Sequence, residues 1–280
     1  MALDTIDLVT FEDRHLDGAL RLSREAGWPH RREDWAMSLE LGEGFVALHG
    51  EEVVGTIVMT PLGEAIATIS LVIVAEASRG RGLGRRLMDA ALQAAGTREC
   101  RLTATADGLP LYEKLGFEST HGIRQHQGHV AAMPAADTAG VTLAEAEDFQ
   151  AICLLDRLAH GIDRRALLRV AQRSGSMAVL RRDGRAVGYG ALRPFGRGEV
   201  IGPVVAETDA DARKLIAFFA SGKPGAFLRV DTPVALGLSA WLTDRGLVEV
   251  GGGIAMRRGH TAPEPAGPTK VFGLFSQAIG

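Results

Sequence analysis

Between Val74 and Met88 the sequence runs Val-Ala-Glu-Ala-Ser-Arg-Gly-Arg-Gly-Leu-Gly-Arg-Arg-Leu-Met, placing Gly80, Gly82 and Gly84 among Arg79, Arg81, Arg85 and Arg86. Glycines admit positive φ and close backbone approach, so consecutive N–H groups can converge on one concavity. A helix opening at Leu83 adds the positive end of its dipole. The guanidinium groups supply full charge and grip phosphate oxygens bidentately. The chemistry this combination suits is anion binding, in the shape of a pyrophosphate. A nucleoside-triphosphate loop would need Gly-Lys-Ser/Thr, and no lysine stands here. The dinucleotide fingerprint Gly-x-Gly-x-x-Gly fails too, because its third glycine falls on Leu87 or on Arg85 depending on where the count starts. A hydride-transferring oxidoreductase is disfavoured accordingly. What remains is Arg-x-x-Gly-x-Gly, carried by Arg79, Gly82 and Gly84.

That pattern resembles the acyl-CoA pyrophosphate site of the GNAT superfamily of N-acetyltransferases. A second segment, Leu109-Pro-Leu-Tyr-Glu-Lys-Leu-Gly-Phe117, is similar to a later helix of the same superfamily, where a tyrosine lies near the departing CoA sulfur. An amine that attacks a thioester expels a thiolate, and a phenol held nearby can protonate it. The resemblance therefore makes Tyr112 the general-acid candidate. It also implies a cofactor-binding set of Val72, Ile73, Val74, Arg79, Gly80, Arg81, Gly82, Leu83, Gly84 and Arg85. The first three would pair with the pantetheine arm, and orient the thioester carbonyl, through main-chain groups. Acetyl-CoA is expected as cosubstrate, without a metal. The base that frees the acceptor amine stays open between Glu43, Asp34 and Glu76.

These residues need a scaffold. Leu16 to Ala26 has helical spacing, and Ser38 to Glu43 is a short segment bracketed at its end by Gly42 and Gly44. Gly44 to Thr60 reads as a hairpin around His-Gly-Glu-Glu. Ala67 to Val74 is a β-branched run fit for a buried strand. Leu83 to Ala95 carries Leu83, Leu87, Ala90, Ala91 and Ala94 on one helical face. A strand at Cys100 to Ala104 and a helix from Leu109 to Leu115 follow. His121, His126 and His129 lack the spacing of zinc ligands, and a polar loop is expected there. Gly251 to Gly253 reads as a turn or bulge.

After Val130 the chain turns to small residues, and the domains expected are 1–128, a linker over 129–140, and 141–280. The second part reads as a copy of the first: Gly188 lies over Gly55, Val205 over Val74 and Gly246 over Gly116, at offsets of 133, 131 and 130. In the copy the basic loop becomes Glu207-Thr-Asp-Ala-Asp211, and Tyr112 becomes Leu242. Carboxylates there would repel a diphosphate. With the further segments Ala26 to Pro29, Asp34-Trp35, Gly188 to Arg193 and Ile201 to Ala206, the whole chain resembles tandem acetyltransferases that pair an N-terminal catalytic domain with a divergent second one. The fold class implied is α/β (α+β): two tandem domains, each a mixed, mostly antiparallel twisted sheet flanked by helices.

Trp28 and Trp35 precede the hairpin, where the superfamily shapes its acceptor site; they serve either as walls of an acceptor cleft between the halves or as staples between helix and sheet.

Composition sets the outer limits. The 280 residues suit two domains, and a net charge of -3 is too small for a nucleic-acid or membrane footprint. All but four of the 31 cationic residues are Arg, a compositional bias outside the loop. Acids near the N-terminus stand where a signal peptide would carry basic residues, and Cys100 and Cys153 form no disulfide framework, so a cytoplasmic protein is expected. Two whole-protein readings follow: an acetyltransferase acting on a primary amine of a small molecule or peptide, or a CoA-binding sensor without turnover. Tyr112 favours the first.

Overall fold

Periodicities in the sequence become elements at nearly the expected residues in the computed structural model, which describes residues 5–131, 138–259, 265 and 267–280. The first half runs β1 (Ile6–Thr10), α1 (Leu16–Glu25), α2 (Arg32–Leu41), β2 (Glu43–His49), β3 (Glu52–Leu62), β4 (Ile66–Val74), α3 (Leu83–Ala95), β5 (Glu99–Ala104), α4 (Leu109–Lys114) and β6 (Glu118–His129). The second repeats this order as β7 (Val141–Leu143), α5 (Phe149–His160), α6 (Arg165–Ser174), β8 (Ser176–Arg182), β9 (Arg185–Phe195), β10 (Gly198–Ala206), α7 (Asp209–Ser221), β11 (Phe227–Pro233), α8 (Ser239–Thr243) and β12 (Val248–Arg258), then adds β13 (Lys270–Gly273). Residues 132–137 of the expected linker lie outside the described residues.

The described strands form one sheet in the order β1-β2-β3-β4-β5-β12-β6-β11-β10-β9-β8-β7, with β13 added on β10. Pairing is antiparallel except where β4 meets β5 and β10 meets β11. The order is that of two mirrored half-sheets, with one exchange at the centre. β12 of the second half lies against β5 of the first, from Ile254↔Ala104 to Arg258↔Cys100. Reciprocally, β6 of the first half lies against β11, from Phe227↔His129 to Pro233↔Ile123. β6 and β12 pair with each other along the midline.

Helices cover both faces, as a sheet with two apolar sides requires. In the first half α1 and α2 bury Leu16, Leu22 and Trp35 against Val46, Val58 and Ile73. On the opposite face α3 buries Leu83, Leu87, Met88 and Ala91 against Ile57 and Ile69, with Tyr112 of α4 in the same cluster. Within β4 the alternation breaks: Ala67 and Ile69 belong to the core under α3, whereas Leu71 and Ile73 belong to the core under α1 and α2. A regular strand would put all four on one face. The register of β4 on β3 slips between Ser70 and Ile73, and Leu71 adopts φ 54. This is a β-bulge, which reverses the faces beyond it.

Two sequence expectations need correction. The short segment marked off at 38–43 is not a unit: Ser38 to Leu41 end a helix that starts at Arg32, where the Asp34 carboxylate accepts from the Arg31 backbone N–H at 2.9 Å and closes the first turn, and Glu43 opens β2. The segment with His121, His126 and His129 is no loop. It is β6, paired on both sides, and its glycines at 122 and 128 mask the strand pattern. His126 is fully buried, with Nδ1 3.0 Å from the Leu247 carbonyl and Nε2 3.1 Å from Ser239 Oγ. Gly251 to Gly253 do sit at a register shift of β12, between Glu249 and Gly251. Among the described residues no helix is long and apolar enough to cross a membrane.

Candidate functional site

β4 and β5 are parallel neighbours only from Ile66↔Glu99 to Thr68↔Arg101; beyond that β5 turns to β12 and the edge of β4 is left open. The opening is a cavity of about 600 Å³, walled by Ile69 to Val74 on one side and by Thr103, Thr105, Gly108, Leu111 and Tyr112 on the other. Its far end is the basic glycine loop, where Arg79, Gly80, Gly82, Leu83, Gly84 and Arg85 line the wall. Arg81 is not on this wall.

The loop owes its shape to two glycines. Gly80 and Gly82 both hold φ 74, a conformation costly for other residues, and a Cβ at either would meet nothing within 4 Å. Open space therefore faces the loop. Gly82 is also the residue before α3 and no side chain caps that helix, so the first-turn N–H groups and the dipole end remain for a ligand. Gly84 acts in another way. A Cβ there would lie 3.3 Å from Leu111 Cδ2, so the glycine lets α3 and α4 approach. Arg79 folds back, with Nε 3.3 Å from the Val74 carbonyl, and Arg85 lies 3.5 Å from Asp89. Arg86 turns away to the Ile6 carbonyl at 3.0 Å.

Midway along the cavity lies the bulge. The Leu71 carbonyl accepts a 2.8 Å bond from Thr56 Oγ1, which holds the reversed peptide in place. A non-glycine residue in the left-handed region costs about 1–3 kcal/mol, and such strain concentrates at functional sites. A β-branched run reads as regular strand, so the bulge leaves no mark in the sequence. Opposite, Tyr112 is buried over Gly108 and packs edge-on against Phe117 at 6.1 Å. Burial pushes its phenol up to about 12, so it stays protonated at neutral pH. Its hydroxyl has no hydrogen-bond partner among the described residues and is free to donate into the cavity.

Trp28 lines this cavity, but Trp35 does not. Trp35 is completely buried, donates from Nε1 to Ser23 Oγ at 2.9 Å and packs on Phe11 at 5.6 Å. Its place is the joint between α1 and α2. Nor do the carboxylates considered as bases reach the cavity. Glu43 and Glu76 are exposed elsewhere, and Asp34 is bound by Arg31 through Nε at 3.1 Å and Nη2 at 2.8 Å.

A second cavity, of about 210 Å³, adjoins the first across Trp28, Ile69, Ser70, Leu71, Thr103 and Thr105. Its remaining walls join both halves: His30 from the first, and Phe195, Arg229 and Ser276 to Ala278 from the second. Sequence reasoning missed His30 and Arg229, since residues 199 positions apart carry no local pattern that unites them. The His30 ring is held by Trp28 at 5.8 Å, Trp35 at 6.1 Å and Phe195 at 5.6 Å, and its Nδ1 is buried without a hydrogen-bond partner. Burial lowers its pKa to about 4, opposed by Asp34 and reinforced by Arg229 and Arg193.

The matching place in the second half is closed. Thr208 caps α7 by accepting from the Asp211 N–H at 3.1 Å, and Asp211 in turn holds Arg182 at 3.0 Å. The edge of β10 corresponding to the open edge of β4 is covered by the chain's own β13, through Val204↔Gly273, Val205↔Val271 and Ala206↔Lys270. Leu242, the counterpart of Tyr112, is completely buried. At this place in the second half, neither a free helix end nor a free strand edge is left among the described residues.

Comparisons with known proteins give the fold and the family. Two profiles described as acetyltransferase (GNAT) domain match residues 40–119 and 152–273. The uncharacterized N-acetyltransferase YitH of Bacillus subtilis (strain 168) is 31% identical over 240 residues, 82% of this chain and 84% of that protein. Among solved structures, a provisionally named acetyltransferase of Pyrococcus horikoshii superposes with a TM-score of 0.80 at 20% identity, over 100% of this chain and 98% of that one. A GCN5-related N-acetyltransferase of Sphaerobacter thermophilus gives a TM-score of 0.65 at 16% identity, covering 92% and 96% of the two chains. At these identities the structures speak for the fold, and the Bacillus relative carries the kinship: the chain belongs to the GNAT family of acetyltransferases and is an acyltransferase built from two GNAT domains.

Proposed function

We propose that this enzyme transfers an acetyl or short acyl group from acetyl-CoA to a primary amine, using the first half as the catalytic domain and the second to complete the acceptor cavity. The observation that carries the reading is the continuity of the larger cavity. An open strand edge leads past a backbone bulge to an uncapped helix N-terminus, with a protonated phenol on the facing wall.

On this reading the N–H groups around Gly82 to Arg85, with Arg79 and Arg85, hold the pyrophosphate. Main-chain groups of Val72, Ile73 and Val74 pair with the pantetheine amides as an added strand would. The thioester carbonyl then lies at the bulge, where the smaller cavity opens. The amine nitrogen attacks the carbonyl carbon, the C–S bond breaks, and the thiolate takes the Tyr112 proton, which the phenol recovers from water. The amine gives up its own proton to solvent or to a base on the cavity wall. Positioning supplies much of the rate, and no covalent enzyme intermediate is involved.

Calorimetry with CoA tests the binding half of this reading and should return one site per chain, because β13 covers the second groove. Free-thiol release across a panel of amines tests the transfer half. Absence of any heat with CoA would refute the assignment of the glycine loop.

A further inference from the structure

The smaller cavity narrows the acceptor's chemistry. At about 210 Å³ it is below the ~300–1,000 Å³ of pockets that take drug-sized ligands. Three aromatic rings, Trp28, His30 and Phe195, form its sides. Among the described residues its one charged side chain is Arg229, which lies over the Phe195 ring at 5.0 Å. Arg229 uses Nε and Nη2 on Asp231, at 2.8 and 3.1 Å, leaving Nη1 without a partner among the described residues. Asp231 itself is fully buried and takes a further 2.8 Å bond from Gln277 Nε2. The carboxylate thus sits behind the guanidinium, and the cavity meets the positive end of the pair. Ser70 Oγ on the same wall is buried without a hydrogen-bond partner.

Resting on the acetyl-transfer reading above, we propose that the acceptor is a small amine that also carries a carboxylate, of the size and kind of an α-amino acid. Its carboxylate seats on Arg229 Nη1, while the amine points to the bulge at Leu71. Polyamines and aminoglycoside-like molecules are disfavoured on two counts: their length, and a second cation brought to the smaller cavity, whose wall has no carboxylate among the described residues. The environment already rejects positive charge at His30, where burial foremost, then Arg229 and Arg193, outweigh the opposing Asp34. A neutral His30 can accept a hydrogen bond from the incoming amine.

Matched acceptors test this in a thiol-release assay with acetyl-CoA: α-amino acids with small apolar side chains, their decarboxylated amines, and spermidine. A charge-assisted contact corresponds to a preference of about tenfold to a hundredfold in kcat/KM for the acid over its decarboxylated amine. Arg229→Gln alone would strand buried Asp231, so the variant is the pair Arg229→Gln with Asp231→Asn. In it the preference should fall to within about threefold, judged against the roughly tenfold floor set by the contact. Arg229→Lys, which keeps the charge, should retain part of it. Equal or better use of spermidine or the decarboxylated amines by the wild type overturns the proposal, as does an equal loss on acid and amine in the paired variant. Either result leaves acetyl transfer standing. Turnover of no amine at all, with CoA still bound in calorimetry, refutes the transfer reading and this proposal with it.

Discussion

Replacing Tyr112 with phenylalanine deletes one oxygen and little else. The ring keeps its seat over Gly108 and its edge-on contact with Phe117. Because the hydroxyl has no protein partner among the described residues, its loss strands no buried group, and the unfolding free energy should change by less than the ~1 kcal/mol typical of point mutations, checked by thermal melting. The catalytic loss is set by proton donation, worth about 10²–10⁴-fold for a positioned acid. A thiolate leaves more readily than an alkoxide or amide would, so the lower end applies, about a hundredfold in kcat or ~2.7 kcal/mol. Steady-state thiol release gives kcat, and calorimetry gives the CoA affinity, which should stay within about twofold since uniform binding is not what the hydroxyl supplies. The pH profile adds a second check. An acid works while protonated, so activity due to Tyr112 is lost only as pH rises through about 12. A wild-type basic limb near neutrality that vanished in Tyr112→Phe would refute this account. So would full activity in the variant.

Gly82→Ala introduces a side chain at φ 74 in open space, so strain rather than collision should cost about 1–2 kcal/mol. Gly82→Asp adds a charge facing the anion site and should weaken CoA binding further, by more than tenfold in calorimetry. Arg79→Ala, removing one charged contact, should weaken it about tenfold to a hundredfold. Residues 1–131 and 138–280 produced separately should each be insoluble or unfolded by circular dichroism, because β6 finds its partners in the second half and β12 bonds β5 of the first; a folded monomer of either piece would contradict the strand order. Thermal stability should decline in acid. His30 and His160 have pKa values lowered from 6.5 to about 4 and about 3, each first by burial, so their neutral forms belong to the fold. Stability is complete above pH 6.5 and drains as the unfolded chain takes up protons toward pH 4, a slope that His30→Gln should flatten in melting curves.

The glycine loop and the elements that flank it are legible in the sequence because they are local. Arg79 to Arg85 needs a strand before it and a helix after it, and periodicity supplies both. Tyr112 came into view through the resemblance of the contiguous segment Leu109 to Phe117, within which α4 spans Leu109–Lys114. Three features were not. The bulge at Leu71 depends on tertiary packing overriding a strand-forming run. The exchange of β6 and β12 concerns which edge a strand joins, and hydrophobic alternation is the same on either side. The smaller cavity draws His30 and Arg229 from different halves. Trp35 shows the converse: an aromatic that reads from sequence as either cleft wall or staple is completely buried between α1 and α2.

The exchanged midline strands have a mechanical consequence. Two domains joined by a flexible tether can close on a substrate like jaws, but here nine residue pairs between β6 and β12 bridge the seam. Opening it would sever a ladder of backbone bonds. The shape of the smaller cavity, which draws walls from both halves, is therefore set when the chain folds, and on the proposed function selection among amines falls to its static contour. Evolution toward a differently shaped cavity has to recut the walls themselves, residue by residue on both sides of the seam, since the bonded midline offers no hinge to tune.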